Sequence, residues 1–176
     1  MTRTTTFLTR RTLLLSGAAG AALTACTNSK STAETSSAAE SEYAETKWRE
    51  LSEDEWRQRL SPMAFAVLRE EDTERAFTSP LNDEKRDGTF HCAGCDLPLF
   101  KSEWKYDSGT GWPSFWQFIE GNLGTKPDNK LWMQRTEYHC ARCLGHQGHV
   151  FSDGPAPTGL RYCNNGAALT FKPTSA

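Results

Sequence analysis

Apolar positions fall into three regimes along this chain. A short run, Leu13 to Ala25, is rich in Ala and Gly and stands near the N-terminus. Two amphipathic stretches follow. Ser52-Glu53-Asp54-Glu55 forms a capping box ahead of Trp56 and Leu60, so a short helix is predicted there. Ser61-Pro62 supplies a second cap, with Pro at the first helical position, before Met63, Phe65, Ala66, Val67 and Leu68. The charged tail of that helix, from Arg69 to Arg75, reads as a solvated face. After Pro80 the pattern shortens. Thr89–His91, Leu97–Phe100, Phe115–Phe118, Leu131–Glu137, His149–Phe151 and Ala168–Lys172 read as strands. They are separated by turn signals such as Asp87-Gly88, Ser108-Gly109, Glu120-Gly121-Asn122 and Asn165-Gly166. Many short strands with Gly-rich turns predict antiparallel sheets.

The first apolar run is too short to span a bilayer permanently but suits a signal peptide. It follows Arg10-Arg11 and ends in Leu23-Thr24-Ala25-Cys26. The twin arginine resembles a Tat export signal and the ending resembles a bacterial lipobox. Residues 1–25 are therefore expected to be a signal, with Cys26 the lipidated first residue of an exported, membrane-anchored protein facing the periplasm or cell exterior. Residues 26–45, rich in Ser, Thr, Ala and Glu with Tyr43 the one aromatic, read as a flexible tether. The domain is expected over 46–176, enough chain for a single core.

Charge narrows the function. The 176-residue chain carries a formal −2, and losing Arg3, Arg10 and Arg11 leaves 17 basic against 22 acidic side chains, or −5. Nucleic-acid binding needs a basic face, so it is excluded as the main role.

Five of the six cysteines lie in the second half, and they are not equivalent. Cys92-Ala-Gly-Cys95 and Cys140-Ala-Arg-Cys143 are two tight pairs far apart in sequence. Each turn presents two sulfurs, and two turns can close a tetrahedron around one structural zinc. Two disulfides, a redox CxxC or another thiophilic metal such as iron are the alternatives, although no thioredoxin-like βαβ pattern surrounds either pair. Folding before export, as the Tat-like leader implies, would protect those thiols from pairing in an oxidising compartment.

Cys163 stands apart, between Arg161 and Asn165. On a strand, alternate residues share a face, so Arg161, Cys163 and Asn165 are expected to point together. A guanidinium beside a thiol favours the nucleophilic thiolate. Asn165 could donate to developing charge, and His146 and His149 are suitable proton donors held near the second pair.

These residues, with Gly109-Thr110-Gly111-Trp112-Pro113-Ser114-Phe115, His146-x-x-His149-Val150-Phe151, Asp153-Gly154-Pro155 and Gly159-Leu160-Arg161-Tyr162-Cys163-x-Asn165, resemble type B methionine sulfoxide reductase from about residue 46 to 173. The resemblance implies a mainly β (α+β) fold, in which two antiparallel β-sheets form a partly open barrel or tent with short N-terminal helices and a four-cysteine zinc site. It implies reduction of the R epimer of methionine sulfoxide, mainly in oxidised proteins or peptides. Cys163 would be the nucleophile and pass through a sulfenic acid, His149 and His146 would supply the proton, and Asn165 and Arg161 would tune the site. Trp112 would receive the substrate methyl, with Phe115 and Asp153 also at the substrate.

Many relatives of that type carry a resolving cysteine where this chain has Thr110. With Cys26 and the four paired cysteines set aside, only Cys163 remains. A thioredoxin-like or other external thiol is therefore expected to reduce the sulfenic acid of a monomeric enzyme. Asn164 also departs from the pattern, where an apolar residue is usual. A non-catalytic zinc-stapled binding module on the same scaffold is the competing expectation.

Overall fold

The computed structural model describes residues 38–130 and 134–175. The expected signal over 1–25, Cys26 and the start of the tether lie outside the described residues, as does the beginning of the strand expected at Leu131–Glu137. Among the described residues, 38–42 are helical, and three short helices follow: α1 (Lys47–Glu50), α2 (Glu53–Arg59) and α3 (Pro62–Glu70). The Ser52 capping box forms, with its hydroxyl accepting from Glu55 N and the Glu55 side chain returning to the Ser52 backbone. Ser61 caps α3 through Ala64 N, with Pro62 at the first turn. These local bonds satisfy donors that a helix start otherwise leaves open.

Among the described residues nine strands follow: β1 (Gly88–Cys92), β2 (Pro98–Lys101), β3 (Lys105–Tyr106), β4 (Ser114–Phe115), β5 (Leu123–Asp128), β6 (Arg135–Cys140), β7 (His146–Phe151), β8 (Arg161–Asn164) and β9 (Leu169–Pro173). They form two antiparallel sheets, in the orders β2-β1-β9 and β3-β4-β8-β7-β6-β5. The outer strands of the larger sheet, β3 and β5, do not pair with each other, so no barrel closes. Among the described residues no helix is long and apolar enough to cross a membrane.

One face of the larger sheet meets the smaller sheet in an aromatic core. Phe100 stacks on Phe115 at 4.2 Å, Phe90 meets Phe115 edge-on at 5.0 Å, and Tyr138 and Tyr162 pack edge-on at 5.4 Å. Burying each such ring contributes roughly 1.5–3 kcal/mol. α3 packs against β7, with its Phe65, Val67 and Leu68 all buried.

Two expectations change here. The segment after α3 is not simply solvated, because Glu74 is buried and accepts from Gly166 N (2.5 Å) and Ala167 N (2.8 Å). The end of the expected tether packs on the domain: Ala39 is buried, Tyr43 donates to Asn122 Oδ1 at 3.0 Å, and Glu40 meets His139 Nε2 at 3.1 Å. A single aromatic ring with a polar tip is enough to anchor an otherwise hydrophilic segment.

Candidate active site and metal centre

The two CxxC turns are matching knuckles that join the two sheets. Cys92 ends β1 and Cys95 lies in the turn to β2, while Cys140 ends β6 and Cys143 lies in the turn to β7. In each, the residue after the second cysteine, Asp96 or Leu144, takes a left-handed conformation and donates its backbone N–H to the carbonyl of the first. All four cysteines are buried and free of disulfides. Their sulfurs lie within 4.8 Å of one another, with Cys92–Cys143 at 3.6 Å and Cys95–Cys140 at 3.4 Å. A tetrahedron with metal–sulfur bonds of about 2.3 Å has sulfurs about 3.8 Å apart, so the set fits a metal of zinc's size. With four protein ligands, such a centre has no open position for substrate and is structural. Arg69 donates to the Cys143 carbonyl at 2.9 Å and Arg142 to the Cys95 carbonyl at 3.1 Å, which ties the helices and both knuckles together.

The other face of the larger sheet carries Cys163. Cross-strand partners share a face, and the register runs Tyr106↔Ser114, Ser114↔Cys163, Cys163↔His149 and His149↔Glu137. Cys163 therefore sits in a row between a hydroxyl and an imidazole. Arg161, two residues earlier on β8, shares that face. The row opens into a cavity of about 130 Å3 walled by Trp112, Arg135, His149, Phe151, Cys163 and Asn165, with Thr73 at its rim. Burial pushes the Cys163 thiol pKa up, while the Arg161 charge and hydrogen bonds from Thr110 and Arg161 oppose that shift. The guanidinium acts in the expected direction, but desolvation outweighs it.

His149 Nε2 meets Asp128 Oδ2 at 2.7 Å, and the same oxygen accepts from Arg135 at 2.6 Å. Burial lowers the His149 pKa, and the Asp128 hydrogen bond opposes that. His146 reaches the same face only through an irregularity. Residues three apart on a regular strand face opposite ways. The β6–β7 register shifts between Tyr138 and His139, so that His139 pairs with His146. That bulge turns the His146 ring toward His149, with centroids 5.5 Å apart. Its Nδ1 lies 3.1 Å from Glu137 Oε1, but the alignment is poor and neither ring nitrogen completes a hydrogen bond.

Three other expected residues are placed differently. Phe115 is one position from Ser114, so strand alternation turns it into the core, fully buried between Phe90 and Phe100 and away from the cavity. Asp153 is exposed and outside the cavity wall; its carboxylate grips the Arg161 guanidinium through two bonds of 2.8 Å, and that guanidinium lies over the Phe151 ring at 4.3 Å. Asp153 thus acts on Arg161. β8 ends at Asn164, so Asn165 leaves the strand. Its Oδ1 accepts from Glu74 N at 3.0 Å and its Nδ2 donates to the Gln147 carbonyl at 3.1 Å. Trp112 lines the cavity, with Nε1 donating to the Glu74 carbonyl at 3.1 Å.

Sequence reasoning missed Asp128, Glu74 and Arg135, which lie outside the conspicuous motifs and reach the site only through folding. Asn164 is explained by its partners. It is fully buried on the core face, accepts from Tyr138 Oη at 2.8 Å and donates to the Asn165 carbonyl at 2.7 Å. Gln147, beside it at 3.4 Å, extends the polar cluster to Cys92 Sγ, also at 3.4 Å. A buried amide is tolerated when its donors and acceptor are all engaged.

Residues 60–173 match the SelR domain family. The chain is 53% identical over 116 residues to peptide methionine sulfoxide reductase MsrB of Thioalkalivibrio sulfidiphilus, covering 65% of this chain and 85% of that protein. It is 55% identical over 115 residues to the protein of that name from Pseudomonas putida strain W619, covering 65% and 86% respectively. For the one from Bradyrhizobium diazoefficiens the identity is 54% over 117 residues, covering 66% and 84%. Matched over most of its described length, at such identity and over nearly the full length of these relatives, the chain belongs to the SelR domain family.

Proposed function

We propose that the protein is a peptide-methionine (R)-S-oxide reductase that uses Cys163 as its nucleophile. The observation that carries this reading is the row that sets Cys163 between Ser114 and His149 on the cavity face, with Trp112 in the wall. The indole offers an apolar surface to a methyl on a polarised sulfur. The Cys163 sulfur attacks the sulfoxide sulfur while His149, aided by His146, protonates the oxygen. The S–O bond breaks and oxygen passes to Cys163, so methionine sulfur gains two electrons and Cys163 becomes a sulfenic acid. One external thiol condenses with that acid, releasing water and forming a mixed disulfide. A second thiol restores Cys163 and leaves as the oxidised disulfide.

The external thiol, thioredoxin-like or otherwise, follows from Thr110 and from the four other cysteines of the domain being committed to the metal centre. The four-cysteine cluster would hold one structural zinc, which organises the fold and takes no part in the reaction. Arg161, steered by Asp153, would bias Cys163 toward the thiolate, and Asn165 would hold the turn after β8.

The cell address belongs to the same reading. The twin arginine and the Leu23–Cys26 ending support Tat export, removal of residues 1–25, lipidation at Cys26 and a tether to a monomeric domain at the membrane surface. Its substrates would be oxidised envelope proteins.

Turnover of the two separated sulfoxide epimers of a blocked methionine, with dithiothreitol as reductant, tests the assignment. Activity confined to the R epimer and lost in Cys163→Ser is expected. Absence of turnover in a folded, metal-loaded protein would favour the binding-module alternative.

A further inference from the structure

The cavity beside Cys163 has two kinds of wall. One is made by β6, β7 and β8, whose pairing holds the backbones of Arg135, His149 and Cys163. The other is made by Thr73, Trp112 and Asn165, which line the cavity but lie outside the strands. Groups that meet a substrate keep one geometry only when further bonds lock them. For these three residues the bonds converge on Glu74.

Glu74 is buried in the segment after α3. Its carboxylate accepts from Gly166 N at 2.5 Å and Ala167 N at 2.8 Å, and its own backbone N–H donates to Asn165 Oδ1 at 3.0 Å. Three consecutive residues after β8 are thus clamped to one. Asn165 is tied onward to β7, where its backbone N (2.9 Å) and Nδ2 (3.1 Å) both donate to the Gln147 carbonyl. The Glu74 carbonyl accepts from Trp112 Nε1 at 3.1 Å, and Thr73 is its chain neighbour. The packing leaves little slack: a Cβ on Gly166 would stand 1.9 Å from Ser79 Oγ and 3.2 Å from Glu74 Oε1.

The turn that carries Trp112 has its own ties. The Gly111 carbonyl accepts from Phe77 N at 2.7 Å and from Asn82 Nδ2 at 3.1 Å. Those bonds hold the backbone of the turn, whereas the bond to Glu74 acts on the indole itself. A carboxylate offers two acceptor oxygens, and here two backbone N–H groups use them. Glutamine has nearly the same shape but turns one acceptor into a donor, which must then face a backbone N–H. A buried donor without an acceptor is costly, so the segment shifts, and the carbonyl that holds the indole shifts with it.

We propose that Glu74 is a positioning residue of this cavity. Its carboxylate, pinned after β8, fixes a backbone unit whose N–H holds Asn165 and whose carbonyl sets the tilt of the Trp112 indole. Its effect on turnover rests on the reductase reading; the tie itself does not.

The test is proton–nitrogen NMR of the indole N–H groups in the metal-loaded protein, with the Trp112 signal assigned by its loss in Trp112→Phe. In the wild type the Trp112 indole proton should exchange with solvent at least about tenfold more slowly than a free indole. In Glu74→Gln its signal should move and its exchange quicken by about tenfold, while the other tryptophan signals stay in place. The KM for a blocked methionine sulfoxide should rise about fivefold, with kcat within about twofold. An unmoved Trp112 signal, an equal shift of every indole, or unchanged kinetics beside a moved signal would each overturn the proposal. So would a wild-type Trp112 proton that exchanges like a free indole, a measurement that stands even where Glu74→Gln does not fold. The NMR readout requires no sulfoxide. A wild type without turnover beside a Trp112-specific change therefore sinks the reductase reading, and a working assay beside an unmoved signal sinks this inference alone.

Discussion

At the scale of single residues, Asp128 joins three partners at the edge of the site. Its carboxylate accepts from Lys130 N at 2.9 Å, from His149 and from Arg135, and these bonds, the backbone one foremost, hold its pKa well below the usual carboxylate range. A group whose folded pKa is depressed contributes stability above its unfolded value, near 3.9, and loses it as pH falls below that. The melting temperature of Asp128→Asn should therefore sit below that of the wild type from pH 7 down to about 5. The gap should begin to narrow below about pH 4 and go on narrowing as pH falls, because the unfolded carboxyl protonates there while the folded one keeps its charge. Comparing the two proteins cancels acid effects they share, including metal loss. A gap that persists unchanged to pH 3 would mean that the Asp128 charge contributes nothing. The depressed His149 pKa acts with the same sign at higher pH, because a buried neutral imidazole must charge as the protein unfolds.

At the scale of elements, β7 and β8 decide the site. A Cβ on Gly148 would stand 1.9 Å from the Cys163 carbonyl oxygen, and this obstacle is backbone that cannot swing aside. Glycine here lets β8 lie close enough for Cys163 to face His149. Gly148→Ala should cost about 3 kcal/mol or more and lower the melting temperature by many degrees. An alanine variant melting within a degree or two of the wild type would show that the strands can part without penalty. The bulge between β6 and β7 is the companion device. The sequence spacing of His146 and His149 places them three apart, which a regular strand would send to opposite faces. Pairing with β6, and the resulting shift at His139, brings both to one face.

At the scale of the whole molecule, the two knuckles hold the β1–β2 hairpin of one sheet to the β6–β7 hairpin of the other. A structural zinc in such a site contributes on the order of 10 kcal/mol in small modules, comparable to the total stability of a domain. Stripping the metal with a chelator under reducing conditions, or substituting Cys140→Ser, should abolish the cooperative melting transition seen by circular dichroism. A metal-free protein with an unchanged transition would show that the aromatic core between the sheets suffices alone.

The clustering of the four paired cysteines and the two helix caps were legible in the sequence because each depends on local chemistry: two cysteines three residues apart on a turn, and a serine hydroxyl at the start of a helix. Family likeness carried the fold. What the sequence alone could not determine was facing and register. Phe115 falls in the core and Ser114 in the site because strand pairing chose one parity over the other. Asn165 leaves the strand because β8 stops at Asn164, and lines the cavity while its side chain holds Glu74 and Gln147. Asp153 reaches the site only through Arg161, and Asp128 enters it from a segment whose sequence announces nothing. Side-chain facing on a strand reverses with every residue, so a bulge, a strand end or a one-residue shift redirects chemistry, and only the assembled sheet settles where each falls.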